Sequence, residues 1–485
     1  GIVPNNEYDR LNFTIRNTAT FLNDKLQLDL GASYVKQKDK NMVSQGQYWN
    51  PVMAAYLFPR GEDFDGIKSF EHFDESRQLP VQYWPVADPV YASQNPYWTA
   101  YRNVATNEKS RYMFNVGLTY NITDWLNATA RFRMDDTHVL FERKIYASSD
   151  DKFAEGKKGL YGYNNYEDRQ EYADFMLNVN KHIADFSISA NAGWNYSNYW
   201  ALERGYKGTL LGVPNKFAAS NIDPANGRIS EKGGDSRVRN HAVFANLELG
   251  WKSMLYLTLT GRNDWNSRLV NTDEESFFYP SIGLSGIISE MVKLPEFISY
   301  LKVRGSYTEV GNSYGRFMTT VTYPYDEQTQ SWTSTSSYPN TKLKPERTKS
   351  WEVGLDARIL NDISLNLTYY RSNTYNQTFY ADLSLSSGYS NIPIQSGNIM
   401  NEGLEMSLGY NKQWKDFSFN TNYTLTWNKN RVKRLADGVY NYATGQPIQM
   451  PELSPLTYGH TDARLILRVG PLVLGTSRVH VSPMP

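Results

Sequence analysis

Residues 417–430, FSFNTNYTLTWNKN, put Phe417, Phe419, Tyr423, Leu425 and Trp427 on one parity and Ser418, Asn420, Asn422, Thr424 and Thr426 on the other. Successive side chains of a β-strand point to opposite faces, so this alternation predicts a strand with one greasy and one wet side. The period recurs in LQLDLGASY from Leu26, FNVGLTY from Phe114, FSISANAGW from Phe186 and VFANLELGW from Val243. It continues in LYLTLTG from Leu255, WEVGLDARI from Trp351, ISLNLTYY from Ile363 and GLEMSLGY from Gly403. On this pattern about fourteen strands fit between residues 10 and 435. Helical periodicity is nearly absent, and its best candidate is LPEFISY at 294–300.

The connections separate a soluble sandwich from a membrane barrel. Every second one is tiny, at 23–25, 123–125, 184–185, 251–254, 361–362 and 415–416. The others run over 41–108, 149–167, 209–235, 313–343 and 384–400, with a short exception near 271–276. Short turns on one rim and long loops on the other are the plan of an outer-membrane barrel, whereas a sandwich carries loops at both ends without this alternation. The fold class expected is therefore all-β: an antiparallel transmembrane β-barrel with short periplasmic turns and long extracellular loops. The arm from Leu126 to Ser148 is longer than a crossing requires, since about 10 tilted residues span the hydrocarbon. Its remainder, charged at Arg131, Arg133, Asp135, Asp136, Glu142, Arg143 and Lys144, is expected to project past the membrane. Trp125, Trp251 and Trp414 lie beside short turns, where an aromatic girdle at the inner interface belongs.

Composition changes this picture little. Of 485 residues 14% are aromatic, including 36 Tyr and 12 Trp, and no Cys is present, which excludes disulfides and thiolate metal sites. Fifty basic and fifty acidic residues cancel, so no global field favours nucleic acid. A mean hydropathy of −0.58 excludes a helical membrane protein but not a barrel, in which alternate strand residues face lipid. Enzyme chemistry finds no foothold. The six His show no H-x-x-x-H spacing, and the pairs Asp135/Asp136 and Glu274/Glu275 point to opposite faces of a strand. Neither a nucleophile elbow nor a Gly-rich phosphate loop before a helix occurs, and no cofactor is called for.

At 343–403 the residues carry a resemblance. LKPERTKSWEVGLDARI, then SSGYSN, then SGNIMNEGLEMSLGY, are similar to the SusC/RagA family of TonB-dependent outer-membrane transporters of Bacteroidetes. The family pattern falls on Leu343, Pro345, Glu346, Glu352 and Gly354, then Gly388 and Tyr389, then Gly397, Asn401, Gly403 and Glu405. NPYWTAYRN at 95–103 and the first residues, GIVPNNEYDRLNF, resemble further family segments. These residues read as fold-forming. Pro345 sits at a strand entrance that tolerates a missing donor, and Gly388, Gly397 and Gly403 are expected to supply positive φ where a loop re-enters a strand.

The resemblance implies a barrel of about 22 strands closed by a plug, of which this chain would be an internal piece. A partial receptor barrel is expected over 1–435, and 436–485 as a loop with an atypical, truncated or frame-disrupted tail after Ser454. It further implies TonB-dependent import of a nutrient across the bacterial outer membrane. The partners implied are a SusD-like surface lipoprotein, TonB acting through a region outside this chain, and a glycan oligosaccharide or peptide ligand, with no nucleic acid. Balanced charge leans the ligand toward a neutral glycan. A passive porin or a soluble all-β glycan-binding adhesin are the alternatives. For substrate contact the aromatic stretch 82–101 offers Tyr83, Trp84 and Trp98, because aromatic faces stack on sugars and pack on peptides. Trp98 has the competing reading of a brace common to the family.

Overall fold

A computed structural model describes residues 3–42, 49–86, 93–232, 237–326, 331–415, 417–434 and 466–469. The expected tail, 436–485, lies outside the described residues except for a short strand at its centre. Fifteen strands follow one another in a single antiparallel meander. They are β1 (Glu7–Phe21), β2 (Leu26–Lys40), β3 (Asn103–Thr123), β4 (Leu126–Tyr146), β5 (Gly159–Ile183) and β6 (Phe186–Thr209), then β7 (Arg237–Trp251), β8 (Leu255–Asn266), β9 (Ser276–Ile287) and β10 (Ile298–Asn312). The sheet ends with β11 (Glu346–Ile359), β12 (Ile363–Asp382), β13 (Asn391–Trp414), β14 (Phe417–Arg434) and β15 (Ile466–Val469). Among the described residues no helix is long and apolar enough to cross a membrane, which says nothing of strands.

A slip of one residue would turn a strand's apolar set to the wrong side, so continuity of register decides how the sheet meets its surroundings. Phe175, Trp194 and Val243 stand opposite one another on β5, β6 and β7. One residue along, the row reads Asp174, Asn195, Ala242, Asp264 and Phe277 from β5 to β9. On β14, Tyr423, Leu425 and Trp427 face Leu408, Met406 and Leu404 of β13, while Thr424 and Thr426 face Ser407 and Glu405. The apolar rows form the outer, lipid-facing surface, and the polar rows line the lumen.

The turns at 22–25, 184–185, 252–254 and 360–362, and Lys415 after β13, share one backbone solution. Leu22, Asn23, Asp24, Ala184, Lys252, Ser253, Leu360, Asn361 and Lys415 all take positive φ, the handedness that matches the twist of the strands they join. Trp125, Trp251 and Trp414 stand at this rim, 38, 41 and 48% exposed, with Lys181 and Lys252 over the first two rings.

Three expectations are corrected. Residues 103–108, 159–167 and 391–400 continue the strands instead of forming loop, because polar side chains in water keep pairing across a ladder; Tyr163 and Tyr206, for instance, stack at 5.4 Å. The segment 294–300 is not helical. A single helical turn lies earlier, at Ile288–Met291, and the Ile298 amide closes a turn onto the Pro295 carbonyl before β10 starts. The connection between β9 and β10, residues 288–297, thereby breaks the rule of tiny turns.

Beyond the other rim, the β2–β3 connection carries α1 (Pro51–Leu57), a hairpin pairing Glu71–Asp74 with Leu79–Gln82, and α2 (Pro96–Arg102). Leu79 and Val81 of the hairpin bury against Ala147, just past β4, which docks the insertion on the strand arms.

Candidate functional site

The insertion is organised by Asn95, which is fully buried. Its Oδ1 caps α2 by accepting from the amides of Tyr97 at 2.9 Å and Trp98 at 3.4 Å, and its Nδ2 donates to the carbonyls of Ile67 at 2.8 Å and Tyr83 at 3.0 Å. One amide thus ties helix, hairpin flank and loop together. An Asn-Pro pair opening a helix was the signal in the sequence, since Asn caps and Pro suits the first helical position. Arg102 closes the helix by gripping Glu71 at 2.6 Å, and that carboxylate raises the arginine's pKa.

The three candidate aromatics part company. Trp98 is fully buried and its Nε1 donates to Ser149 Oγ at 2.9 Å, so it has no ring face to offer a ligand and serves as a brace between α2 and the β4 arm. Tyr83 is 44% exposed. Trp84 is half-buried against Phe58, with ring centroids 5.6 Å apart, and its Nε1–H is enclosed without an acceptor among the described residues. Phe58 is itself buried and packs in turn on Phe64 at 5.3 Å, which joins Trp84, Phe58 and Phe64 in one aromatic group.

A second feature missed in the sequence is Arg143. It lies seventeen residues up β4 from Leu126, far past the roughly 10 residues that cross hydrocarbon. Its guanidinium lies 4.8 Å from the Trp49 ring centroid and 5.1 Å from that of Phe141. Burial pushes its pKa below the ordinary arginine value.

The lumen wall is polar and internally paired. Arg131 reaches Asp174 at 3.0 Å, Arg262 reaches Asp264 at 2.8 Å, and the Tyr279 hydroxyl donates to Asp264. Arg111 pairs with Asp135, and Arg304 holds both Asp356 and Thr368 Oγ1 at 2.6 Å. A lumen cavity of about 1160 Å³ is bordered by Arg131, Asp135, Tyr172, Asp264 and Tyr279. Among the described residues no group of three or more His, Cys, Asp and Glu comes together as a metal site.

The motif residues take structural places. Leu343 is buried with Leu269, Phe277 and Tyr314, and Pro345 is fully buried, its carbonyl accepting from Asn376 Nδ2 at 3.2 Å. Glu346 opens β11; Glu352 and Gly354 follow on its lumen parity. Arg304 passes over Gly354, where a Cβ would lie 2.7 Å from its Nε. Gly388 does take positive φ, at 80°, and Tyr389 beside it meets Tyr338 edge to face at 5.0 Å. Gly403 does not take positive φ, and Gly397 lies within β13 where the ladder to β12 skips it, opposite Asn376. Gly403 is needed for space instead, because a Cβ there would sit 2.5 Å from Tyr370 Oη and 2.6 Å from the Trp427 carbonyl. Asn401 accepts from Asn430 Nδ2 at 2.6 Å, and Glu405 stands between Thr368 and Thr426 on the lumen side.

A long antiparallel meander with an apolar outer face, a charged inner face, an aromatic inner rim and large loops on the opposite rim is the wall of a large outer-membrane-type β-barrel. The chain belongs to the family described as "TonB dependent receptor-like, beta-barrel", whose profile matches residues 56–465. This is a family of outer-membrane receptors and transporters, not of enzymes. The chain is 24% identical over 359 residues to TonB-dependent receptor P3 of Formosa agariphila, covering 71% of this chain and 35% of that protein. It is 21% identical over 475 residues to TonB-dependent receptor SusC of Bacteroides thetaiotaomicron, covering 90% of this chain and 45% of the relative. Its fold matches a structure of the RagAB peptide importer in the open-open state with a TM-score of 0.69, at 18% identity and over 90% of this chain and 47% of that one. The chain spans less than half the length of each of these relatives.

Proposed function

We propose that the protein containing this barrel wall imports an oligosaccharide across the outer membrane in a TonB-dependent cycle, with a SusD-like surface lipoprotein over its extracellular loops. The observation that carries the reading is a polar lumen lined by paired charges beneath an ordered, aromatic-rich extracellular insertion. The resemblance of residues 343–403 to the SusC/RagA family, which implies a glycan or peptide ligand, supports the reading, and the balanced net charge leans it toward a saccharide. A peptide is the second reading, favoured by the fold match to the RagAB peptide importer. Tyr83 and Trp84 are the ring faces assigned to the ligand, Tyr83 because it is exposed and Trp84 because its indole N–H has no acceptor among the described residues.

The test is uptake by cells carrying the whole protein. Tyr83→Ala and Trp84→Ala should weaken growth on one glycan within a panel while heat-modifiability of the barrel and capture of the lipoprotein stay unchanged, since a loop side chain contributes little to assembly. Growth on peptides that falls while every glycan is used normally would transfer the assignment to peptide. Unchanged uptake of all ligands would remove both residues from the site.

A further inference from the structure

Arg143 and Asn103 both border one small cavity, and among the described residues no carboxylate lines it. The cavity measures about 90 Å³ and lies where the β2–β4 arms meet the insertion, walled by Trp49, Pro51, Thr99, Ala100 and Ala105. Asn103 is 8% exposed and its Nδ2 has no hydrogen-bond partner among the described residues. Its orientation is fixed from the other end: Trp98 Nε1 donates to Ser149 Oγ at 2.9 Å, and Ser149 Oγ donates to Asn103 Oδ1 at 2.8 Å, which leaves the amide N–H groups for the cavity. Arg143, held between the rings of Trp49 and Phe141, forms no ion pair with a carboxylate among the described residues. The same arginine borders an adjoining cavity of about 300 Å³ with Phe141, Tyr166 and Asp39. Asp39 is engaged elsewhere, accepting from Asn107 Nδ2 at 3.2 Å and Gln37 Nε2 at 3.3 Å.

A buried amide N–H without an acceptor costs free energy, and the cost is repaid when an acceptor enters. Guanidinium N–H groups form a planar fork that matches a carboxylate or sulfate. About 90 Å³ equals the liquid volume of about three waters, room for such a group but not for a sugar ring. We infer that Arg143 and Asn103 form a subsite for the oxyanion of an acidic sugar, with its ring in the larger cavity against Phe141 and Tyr166. The inference rests on the import of a saccharide proposed above and adds its charge. Balanced net charge does not oppose it, because net charge governs long-range steering and not a local donor pair.

The whole protein, purified from outer membranes, is titrated calorimetrically with methyl glucuronide, glucose 6-sulfate and methyl glucoside at fixed ionic strength. At least one anionic sugar should bind roughly ten-fold or more tightly than methyl glucoside, the gain of one charge-assisted contact, and whichever binds identifies carboxylate or sulfate. Arg143→Gln and Asn103→Asp should abolish the preference, the second by placing a carboxylate where the donor was while keeping the acceptor for Ser149. Arg143→Lys should keep part of it, as charge without the fork. Equal binding of all three sugars by the unsubstituted protein overturns the subsite without reference to any variant. So does wild-type preference in a variant whose heat-modifiability is intact. Import of neutral glycans with no anionic preference refutes the subsite and leaves transport standing; anionic binding without uptake of any saccharide refutes transport and leaves the subsite.

Discussion

Replacing Leu259 by arginine sets a charge on the outer face of β8 at a depth that the register defines. Leu259 lies four residues beyond Leu255, which pairs with Trp251 at the inner rim. A rise of about 3.3 Å per residue at a tilt of about 40° lifts a strand roughly 2.5 Å per residue along the membrane normal. Leu259 is therefore about 10 Å above the rim, close to the middle of an apolar band about 25 Å tall, where arginine costs about 2–4 kcal/mol. Thr258, its neighbour in sequence, lies at the same depth on the lumen parity opposite Glu248, so Thr258→Arg should cost under about 1 kcal/mol. Leu425 supplies a depth control. It is eight residues from Phe417, which pairs with Trp414, so it sits about 20 Å up, and Leu425→Arg should cost about 1 kcal/mol. The measurement is the urea midpoint of the whole protein folded into lipid vesicles, followed by tryptophan emission. Equal losses at Thr258 and Leu259 would mean that both faces bury alike, as in a two-sided soluble core, and would refute the membrane assignment of the parities.

Cysteines at Asp24 and Asp185, both in short turns, should stay unlabelled by an impermeant maleimide on intact cells, while cysteines at Asn226 and Ser386 in the opposite loops should react; reversed labelling inverts the topology. Gly403→Ala should cost about 1–3 kcal/mol as the new methyl displaces the Tyr370 hydroxyl. Tyr370→Phe should restore part of that loss in the same urea assay, and no rescue would place the strain at the Trp427 carbonyl alone. Glu346, outside the membrane at the start of β11, has its pKa raised by burial, so the native state binds more protons than the unfolded chain between the two pKa values and stability falls as pH rises through that window. Glu346→Gln should accordingly match or exceed the unsubstituted protein at pH 7.5, with its advantage shrinking as pH drops below the carboxylate range; the opposite trend in melting temperature would show a partner for the charged form.

The all-β class, the outward and inward sets and the two unlike rims were legible because each is a local property. Alternation at Thr258 and Leu259, or at Thr424 and Leu425, needs no knowledge of the neighbouring strand, and turn length is counted directly. What the strands do to one another is not local. Arg131 and Asp174 are 43 residues apart and meet through the β4–β5 register, as Arg304 and Asp356 meet across β10–β11 at a separation of 52. Gly403 looked like a turn residue because glycine's freedom is visible in a sequence, whereas the Tyr370 hydroxyl that fills its missing side chain comes from the adjacent strand. Trp98 and Trp84 are the same residue type on one loop, and burial alone turns the first into a brace and leaves the second a face. Asn103 and Arg143 belong to different strands, and neither is unusual in sequence. Their shared cavity exists because the insertion folds back on the strand arms and brings the two side chains to one wall, and a fold-back of that kind is set by the sum of many distant contacts that no short stretch of the chain encodes.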